Sequence, residues 1–552
     1  MRPDGKPEGV RQSMSWMHTW SGLLLGWLLY AVFFTGTLSF FLDEVNDWMR
    51  PELHQSVPSP QTAALAVAAM QKLAPDAAAW TINLPGERQT AVEASWRKPG
   101  AAAGRAGTQR VHLDAGTGEV IKPRETRGGS FLYRFHFELY AMPRIWGRWI
   151  VGIATMFMFV AIISGVITHK KIFSEFFTFR PRKGQRSWLD AHNATAVLAL
   201  PFHIIITFSG LLLLMSMLLP WGAQAVYDGD MQKYFAESRG RTGGAGAERD
   251  ASARGGRSPI AESAALTAIG PLMEIAQARW PERGVGSIVV QKPGTPAATI
   301  ELREQGARAL QRGTGERLLF DGITGAPRNP PEARVPSAAQ AVSGAMMGIH
   351  LGRFADPAVR WLLFLSGVVG TVMAGSGLVL WVVKRLPERR KLGRTPRGHR
   401  LVEVLNIGAI AGLSVATAGY FWANRLLPVD LAQRADMEIR CFFMVWALCL
   451  VHGLLRPHRR AWLEQLWLAA IAFTALPLLN AATGGVALPA AMLQGQWSVA
   501  GFDLVALALG ALHGFTAWKL GRSATAAKPS NTASGAGMSV PRPVAQSPEK
   551  AP

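Results

Sequence analysis

The sequence predicts an α-helical integral membrane protein with about eight transmembrane helices and two small α+β domains, built by duplication of a helix–domain–helix unit. Composition places the chain partly in the membrane, because 49% of its 552 residues are hydrophobic and its mean hydropathy is +0.14. The apolar runs long enough to cross a bilayer span residues 20–41, 149–168, 194–219, 361–383, 407–423, 439–455, 462–479 and 499–520. Two long polar segments separate the first run from the second and the third from the fourth, which predicts soluble domains outside the membrane.

A repeated pattern of histidine and glycine indicates the duplication. In each of four cases a histidine precedes an apolar stretch that contains a small hydroxyl residue followed by glycine. The four pairs are His18 with Thr35-Gly36, His192 with Ser209-Gly210, His136 with Ser164-Gly165, and His350 with Ser376-Gly377. The spacing in the first pair equals that in the second. We therefore expect the histidines at two levels related by the internal symmetry.

The distribution of lysine and arginine predicts the orientation. Basic residues are concentrated between the second and third runs, between the fourth and fifth, and after the sixth. By the positive-inside rule these loops are cytoplasmic, so both termini lie inside and the two long segments lie outside a bacterial inner membrane. The net charge of +21 therefore reflects membrane topology, and it does not indicate that the protein binds nucleic acid.

The outer segments each indicate a helix followed by strands. Helices are predicted at residues 62–73 and 261–279, and strand–turn–strand patterns surround Asp114 and Asp321, each followed by Thr-Gly. A flexible insert is expected at 240–257. The predicted division is 1–42 (cytoplasmic N-terminus and first helix), 43–148 (first outer domain), 149–219 (second and third helices with their basic loop), 220–360 (second outer domain), 361–400 (fourth helix and basic loop), 401–522 (an appended four-helix membrane module) and 523–552 (a disordered cytoplasmic tail).

Histidines in the duplicated part are the candidate site, because imidazole is the usual protein ligand of haem iron and ionisable residues in membrane helices are costly. The candidates are His18, His136, His169, His192, His203 and His350. Symmetry favours pairing His18 with His192 and His136 with His350, but other pairings stay open. If residues 192–203 form one helix, His192 and His203 share a face about 16 Å apart. The alternative is a set of hydrogen-bonded histidines at the membrane interface.

Other residues complete the expected site. Arg134 and Arg353 flank the outer histidines and are candidates to neutralise haem propionates; membrane-interface anchoring is the alternative. His452 and His513 are candidates for a further site, or are satisfied core residues. His54, His112, His399 and His458 are expected at the surface. The two cysteines, Cys441 and Cys449, form no CxxCH motif, so covalent haem attachment is not expected.

These motifs carry a family resemblance. The start His18-x-Trp20-x-Gly22, the Asp-x-x-Thr-Gly hairpins, and the entries Phe135-His136 and Ile349-His350 resemble the PepSY-associated transmembrane family, in particular PepSY-containing proteins of iron uptake such as siderophore-iron reductases. The resemblance covers about residues 13–385. It implies PepSY-like outer domains, two haem b groups, and passage of electrons to a ferric siderophore or other ferric chelate in the periplasm. Under that implication the protein is an oxidoreductase without a covalent catalytic residue.

The electron donor has to be external. No dinucleotide-binding fingerprint and no Walker A loop occur in the sequence, so a quinol or a cytoplasmic reductase is expected to supply electrons. The competing function is non-enzymatic: a membrane transporter for a metal chelate, or a regulatory protein of the PepSY type. A transporter would show helices broken within the membrane around a cavity. Purified protein that is red and redox-active would favour the reductase.

Overall fold

The computed structural model describes residues 9–98, 107–169, 179–181, 183–238, 264–305, 316–329, 338–352 and 355–525. Its α-helices are α1 Val10–Leu38, α2 Leu42–Trp48, α3 Thr62–Leu73, α4 Gly129–Glu138, α5 Arg144–Thr168, α6 Gln185–Leu198, α7 Leu200–Leu218, α8 Trp221–Val226, α9 Met231–Ser238, α10 Ile269–Arg279, α11 Ala338–Leu351, α12 Pro357–Lys384, α13 Leu386–Lys391, α14 Arg397–Ile407, α15 Leu413–Leu426, α16 Arg434–Leu455, α17 His458–Thr474, α18 Leu476–Ala482, α19 Leu488–Leu493 and α20 Trp497–Thr525. Its strands are β1 Ala79–Asn83, β2 Val92–Arg97, β3 Thr108–Leu113, β4 Val120–Ile121, β5 Val285–Gln291, β6 Thr299–Glu304, β7 Arg317–Asp321 and β8 Pro327–Arg328.

The helices confirm a multi-pass membrane protein with about eight spans. Within the described residues, 7 helical segments are long and apolar enough to cross a bilayer, and a bent pair raises the number to 8. The segments are Val10–Trp48, Arg144–Thr168, Pro357–Lys391, Arg397–Leu426, Arg434–Leu455, His458–Ala482 and Trp497–Arg522. In six of the seven segments more than half of the most apolar stretch is exposed on the isolated protein, as expected for side chains that face lipid, whereas Arg397–Leu426 is 83% buried.

The bent pair is α6 and α7, whose axes differ by 67° across a break at Ala199. Pro201 follows the break in the first turn of α7. Proline has no backbone N–H and its ring clashes with the carbonyl four residues earlier, so α6 cannot continue through Pro201, whereas a proline is tolerated in the first turn of a new helix. The expectation that His192 and His203 share a face of one continuous helix is therefore wrong: His192 lies on α6 and His203 on α7.

The two outer segments join in a single eight-stranded antiparallel sheet with the order β4-β3-β2-β1-β5-β6-β7-β8. The junction pairs β1 with β5, with Ile82 opposite Ile288, and both side chains are fully buried. The order is symmetric about this junction, as expected for two copies of one unit. Helices α3 and α10 contact each other and pack on the same sheet core.

The local predictions for these domains are largely confirmed. In both hairpins the Asp carboxylate, Asp114 or Asp321, accepts two backbone N–H groups at 2.8 to 2.9 Å, and the glycine of each Thr-Gly step has a positive φ. Helix α3 has its predicted bounds. Helix α10 begins only at Ile269, because Ala264 and Thr267 donate their backbone N–H groups to Gly294 and Gly322 instead of to a helix. The predicted insert at 240–257 and residues 526–552 of the predicted tail lie outside the described residues.

The last four spans pack on helices from both halves of the duplicated part, α1 and α2 from the first and α12 from the second. Trp27 of α1 donates to Asn406 Oδ1 at 2.8 Å, and Asn406 donates in turn to the carbonyl of Leu378 at 3.0 Å. At the sheet end, the fully buried Trp48 donates to Asp503 Oδ1 at 2.8 Å. Paired polar groups at a buried interface specify one docking arrangement, because each loses its partner in any other.

Candidate functional site

Each of four histidines lies against a glycine of a neighbouring helix. His18 of α1 contacts Gly165 of α5, His136 of α4 contacts Gly36 of α1, His192 of α6 contacts Gly377 of α12, and His350 of α11 contacts Gly210 of α7. A methyl group on these glycines would lie only 2.6 to 3.2 Å from an imidazole atom. The hydroxyl–glycine steps seen in the sequence are therefore docking places for histidines of other helices.

Because each of these glycines lacks a Cβ, the backbone carbonyl one turn earlier in the glycine's own helix is accessible to the imidazole. The Nδ1 atoms of His18, His136 and His192 lie 2.9, 2.7 and 2.9 Å from the carbonyls of Ala161, Val32 and Met373. In each case the carbonyl residue precedes the glycine by four positions. Since a carbonyl only accepts, Nδ1 carries the proton and Nε2 keeps a free lone pair.

His350 also donates from Nδ1 to the neighbouring helix, where a serine hydroxyl is an additional acceptor. Its Nδ1 lies 2.9 Å from Ser209 Oγ, and the Ile206 carbonyl is a backbone partner of the ring. Ser209 already donates its own proton to the carbonyl of Ile205 at 2.7 Å, so it accepts from the histidine. All four rings thus have their tautomer and orientation set by the neighbouring helix, the arrangement found around histidines that ligate metals.

The four rings form two facing pairs. The ring centroids of His18 and His192 are 6.2 Å apart, and those of His136 and His350 are also 6.2 Å apart. Two imidazoles that ligate one metal ion from opposite sides, at about 2 Å each, have centroids roughly 6 Å apart. The structure therefore brings together the symmetric partners that the duplication favoured.

The pair His136 and His350 lines a cavity of about 410 Å³ at the sheet end of the bundle. Apolar and aromatic side chains make up most of its wall, and Arg148 supplies a cation. Arg134 is absent from that wall and instead contacts Glu138 at 3.8 Å on another face of α4. Arg353 lies outside the described residues. Arg148, which pairs with the same Glu138, is the better placed arginine.

The pair His18 and His192 lines a smaller cavity of about 60 Å³ at the opposite end, together with His169 and His203. His203 is 1% exposed, and its Nε2 has no hydrogen-bond partner among the described residues. Its ring centroid is 5.9 Å from that of Phe33. Burying an unpaired polar atom is costly, which marks His203 as a residue retained for something other than packing.

The donor sets are pairs rather than larger clusters. Within the described ranges, no group of three or more His, Cys, Asp or Glu side chains could hold a metal ion by itself. Two trans imidazoles suit an iron whose remaining four ligands come from a porphyrin. The tautomers set by the Nδ1 hydrogen bonds, the centroid separation within each pair and the apolar cavity beside one pair all fit such a group.

The remaining histidines lie apart from both pairs. His452 contacts Glu464 at 2.7 Å and His513 contacts the carbonyl of Leu509 at 2.7 Å, so each has a partner within the last four spans. The expectation that His54 and His399 are surface residues is wrong, since their exposures are 0% and 6%. Burial of His54 between the sheet segment and the last four spans lowers its pKa to about 4.

Comparison with known proteins agrees with the resemblance seen in the sequence. The family described as the PepSY-associated TM region matches residues 15–384, which is more than half of the chain and includes both histidine pairs. A comparison with curated proteins gave no match. The last four spans lie beyond the matched residues. The chain belongs to the PepSY-associated TM family.

Proposed function

We propose that this protein is a di-haem b electron-transfer protein of the bacterial inner membrane. It takes electrons from a quinol or a cytoplasmic reductase and delivers them to a periplasmic ferric chelate, with a ferric siderophore as the favoured acceptor. The single observation that supports it best is the pair of facing, carbonyl-oriented imidazoles at each of two levels of the bundle. Haem bound at each level supplies reversible one-electron chemistry.

The protein's own residues would act as holders. His18 with His192, and His136 with His350, would each hold one haem through their imidazole nitrogens, and their Nδ1 hydrogen bonds would stop the rings from rotating. A haem held by two histidines would supply electrons without binding the substrate at its metal. Such a site suits electron transfer rather than binding of the acceptor to iron in the haem.

The distance between the two histidine pairs suits electron transfer across a bilayer. His136 docks at Val32 and Gly36 of α1, whereas His18 lies 14 residues before Val32 on that helix. At 1.5 Å per residue the levels are roughly 20 Å apart, which covers most of a hydrocarbon layer of ~30 Å. Met158 lines both cavities.

The proposed orientation places the sheet in the periplasm and both termini in the cytoplasm. The basic residues of α13 and the start of α14, including Arg389, Arg390 and Arg397, lie at the end opposite the sheet, as the positive-inside rule requires of a cytoplasmic face. In this orientation the pair His136 and His350 is nearest the periplasm. Each ferric ion takes one electron, so one quinol, releasing two electrons and two protons, serves two ferric ions. Ferrous iron binds hard oxygen donors less tightly, which releases it from the chelate.

One observation favours the alternative, a non-enzymatic transporter. The break between α6 and α7 resembles the interrupted helices of transporters. However, the break places His192 and His203 in the wall of one cavity, together with His18 and His169. A regulatory PepSY-type protein would need neither histidine pair.

The test is direct. Protein expressed with ample haem and purified in detergent should be red, contain two non-covalent haems per chain by the pyridine haemochrome assay, and be re-oxidised by ferric siderophores in single-turnover mixing. In proteoliposomes the siderophore should act from the sheet side, with ferrous iron trapped by a chelator. Colourless protein would contradict the whole proposal. Red protein that no ferric chelate re-oxidises faster than oxygen alone would remove the reductase function.

A further inference from the structure

A second cavity at the sheet end, of about 620 Å³, lies across α4 from the cavity of His136 and His350. Its size falls within the range of small-molecule sites, roughly 300 to 1,000 Å³. Five arginines and two carboxylates line it. These are Arg50, Arg110, Arg127, Arg134 and Arg144, with Glu138 and Asp436. We call this cavity the arginine pocket.

The carboxylates of the arginine pocket do not neutralise it. Asp436 pairs with Arg127 at 3.3 Å, and Glu138 is shared between Arg134 in the pocket and Arg148 on the other side of α4. Glu93, outside the lining, pairs with Arg110 at 3.4 Å. Two cationic groups of the wall, those of Arg50 and Arg144, therefore lack a carboxylate within 4.0 Å among the described residues.

Arg50 carries the larger electrostatic cost. Among the described residues its guanidinium donates to backbone carbonyls, Asn46 O at 3.0 Å and Thr126 O at 3.4 Å. Burial lowers the pKa of this side chain, because the charged form loses hydration. A partly desolvated guanidinium gains most from an anionic oxygen ligand, with which it forms charge-assisted hydrogen bonds.

The rim of the pocket is a turn in an unusual conformation. Leu139 has φ 57° and ψ −157°, a region that residues other than glycine rarely adopt, and Ala141 has φ 60°. Both residues line the arginine pocket. Such conformations are unfavourable for residues with a Cβ and persist only where the surrounding structure holds them.

Helix α4 is the common wall of the two cavities. Arg134, Phe135 and Glu138 line the arginine pocket, whereas Tyr133, His136 and Phe137 line the histidine cavity. A ligand in the pocket is thus separated from His136 by one helix, about 10 Å in diameter.

We propose that the arginine pocket is the binding site for the electron acceptor, and that it selects anionic oxygen-donor chelates of Fe³⁺, such as polycarboxylates, over neutral or cationic chelates. This inference rests on the proposed function for its biological meaning, but the pocket itself is testable without electron transfer. Arg110 belongs to strand β3, so the pocket reaches into the water-soluble sheet domain, which favours a soluble ligand over a lipid headgroup.

The experiment uses the full chain in nanodiscs of zwitterionic lipid and gallium(III) chelates, which match ferric chelates in charge but do not accept an electron from haem. Equilibrium dialysis measures binding of gallium citrate and of a cationic gallium trihydroxamate. We expect citrate to bind more tightly, and its affinity to fall with rising salt. Arg134→Gln with Arg144→Gln should weaken citrate binding tenfold or more. Arg97→Gln, an exposed arginine of β2 outside the pocket, is the matched control and should change nothing.

Three results would overturn the inference. One is equal affinity for the anionic and cationic chelates. Another is citrate binding that the double variant leaves unchanged. The third is loss of citrate binding when an anionic lipid is added to the nanodisc at constant ionic strength, which would identify a headgroup site. Haem content is measured on the same samples, so a colourless protein that binds gallium citrate would contradict the proposed function and leave the pocket standing.

Discussion

A methyl group on Gly36 would lie 2.6 Å from both Cε1 and Nδ1 of His136. The imidazole therefore occupies the space that a side chain at position 36 would take. It reaches the Val32 carbonyl only because Gly36 has no side chain. This contact between α1 and α4 repeats at three other histidines. It leads to a test in which no histidine is changed.

Gly36→Ala should displace the ring of His136. The protein should then lose the haem proposed for His136 and His350 and keep the haem proposed for His18 and His192. The physical reason is steric, since the backbone of α1 cannot withdraw without disturbing its packing. Gly22→Ala on the same helix is the control, because no atom lies within 4 Å of the added methyl group. The measurement is haem per chain with the reduced spectrum. Equal loss in both variants would indicate a general folding defect.

Replacing single histidines should remove one haem at a time. His136→Ala or His350→Ala should eliminate the sheet-end haem, and His18→Ala or His192→Ala should eliminate the other haem, because each haem would lose one of the two histidines proposed to hold it. His112→Ala, on strand β3 and away from both pairs, should keep two. If all four variants retained full haem content and unchanged spectra, the assignment of these ligands would be wrong.

His203 should tune the haem at the end away from the sheet rather than hold it. The facing pair His18 and His192 already supplies two imidazoles, and the free Nε2 of His203 lines the same cavity. We predict that His203→Leu and His169→Leu keep two haems but shift the midpoint potential of one of them in a spectroelectrochemical titration. Loss of a haem in either variant would instead identify that histidine as a ligand.

His54 should make the docking of the sheet segment on the last four spans dependent on pH. Its folded-state pKa is about 4, compared with an ordinary 6.5, so it is neutral when buried. Its stabilising contribution is complete above about pH 6.5 and is lost as the pH falls toward about 4, because only the unfolded chain takes up the proton in that window. Between about pH 7 and 5 the loss is ~2 kcal/mol.

The control for this effect is His54→Gln, whose amide can replace one ring nitrogen's hydrogen bond but does not titrate. Thermal melting of the purified protein at both pH values should show a smaller drop for the variant than for the original chain. Identical drops would mean that other groups, not His54, determine the acid sensitivity.

Several features were predictable because their signals are local. Hydropathy runs gave the number of spans, the Asp-x-x-Thr-Gly patterns gave both hairpins, and the repeated spacing of His18 and His192 indicated the symmetric pairs. The break at Ala199 also had a local signal in Pro201, which the expectation of one continuous helix ignored. His54 was misplaced at the surface because a polar residue in a loop has no local sign of burial.

What the sequence determined by itself is the set of elements and the duplication, since helix and strand periodicity and bilayer length act on contiguous residues. Only the tertiary structure decided that the two outer units share one sheet through β1 and β5, that each histidine docks on a glycine of a neighbouring helix, and that Arg134 faces away from the histidine cavity. These relationships join residues far apart in the chain. They depend on how the helices rotate and pack, which is set by shape complementarity across interfaces and leaves no periodic pattern in either partner alone.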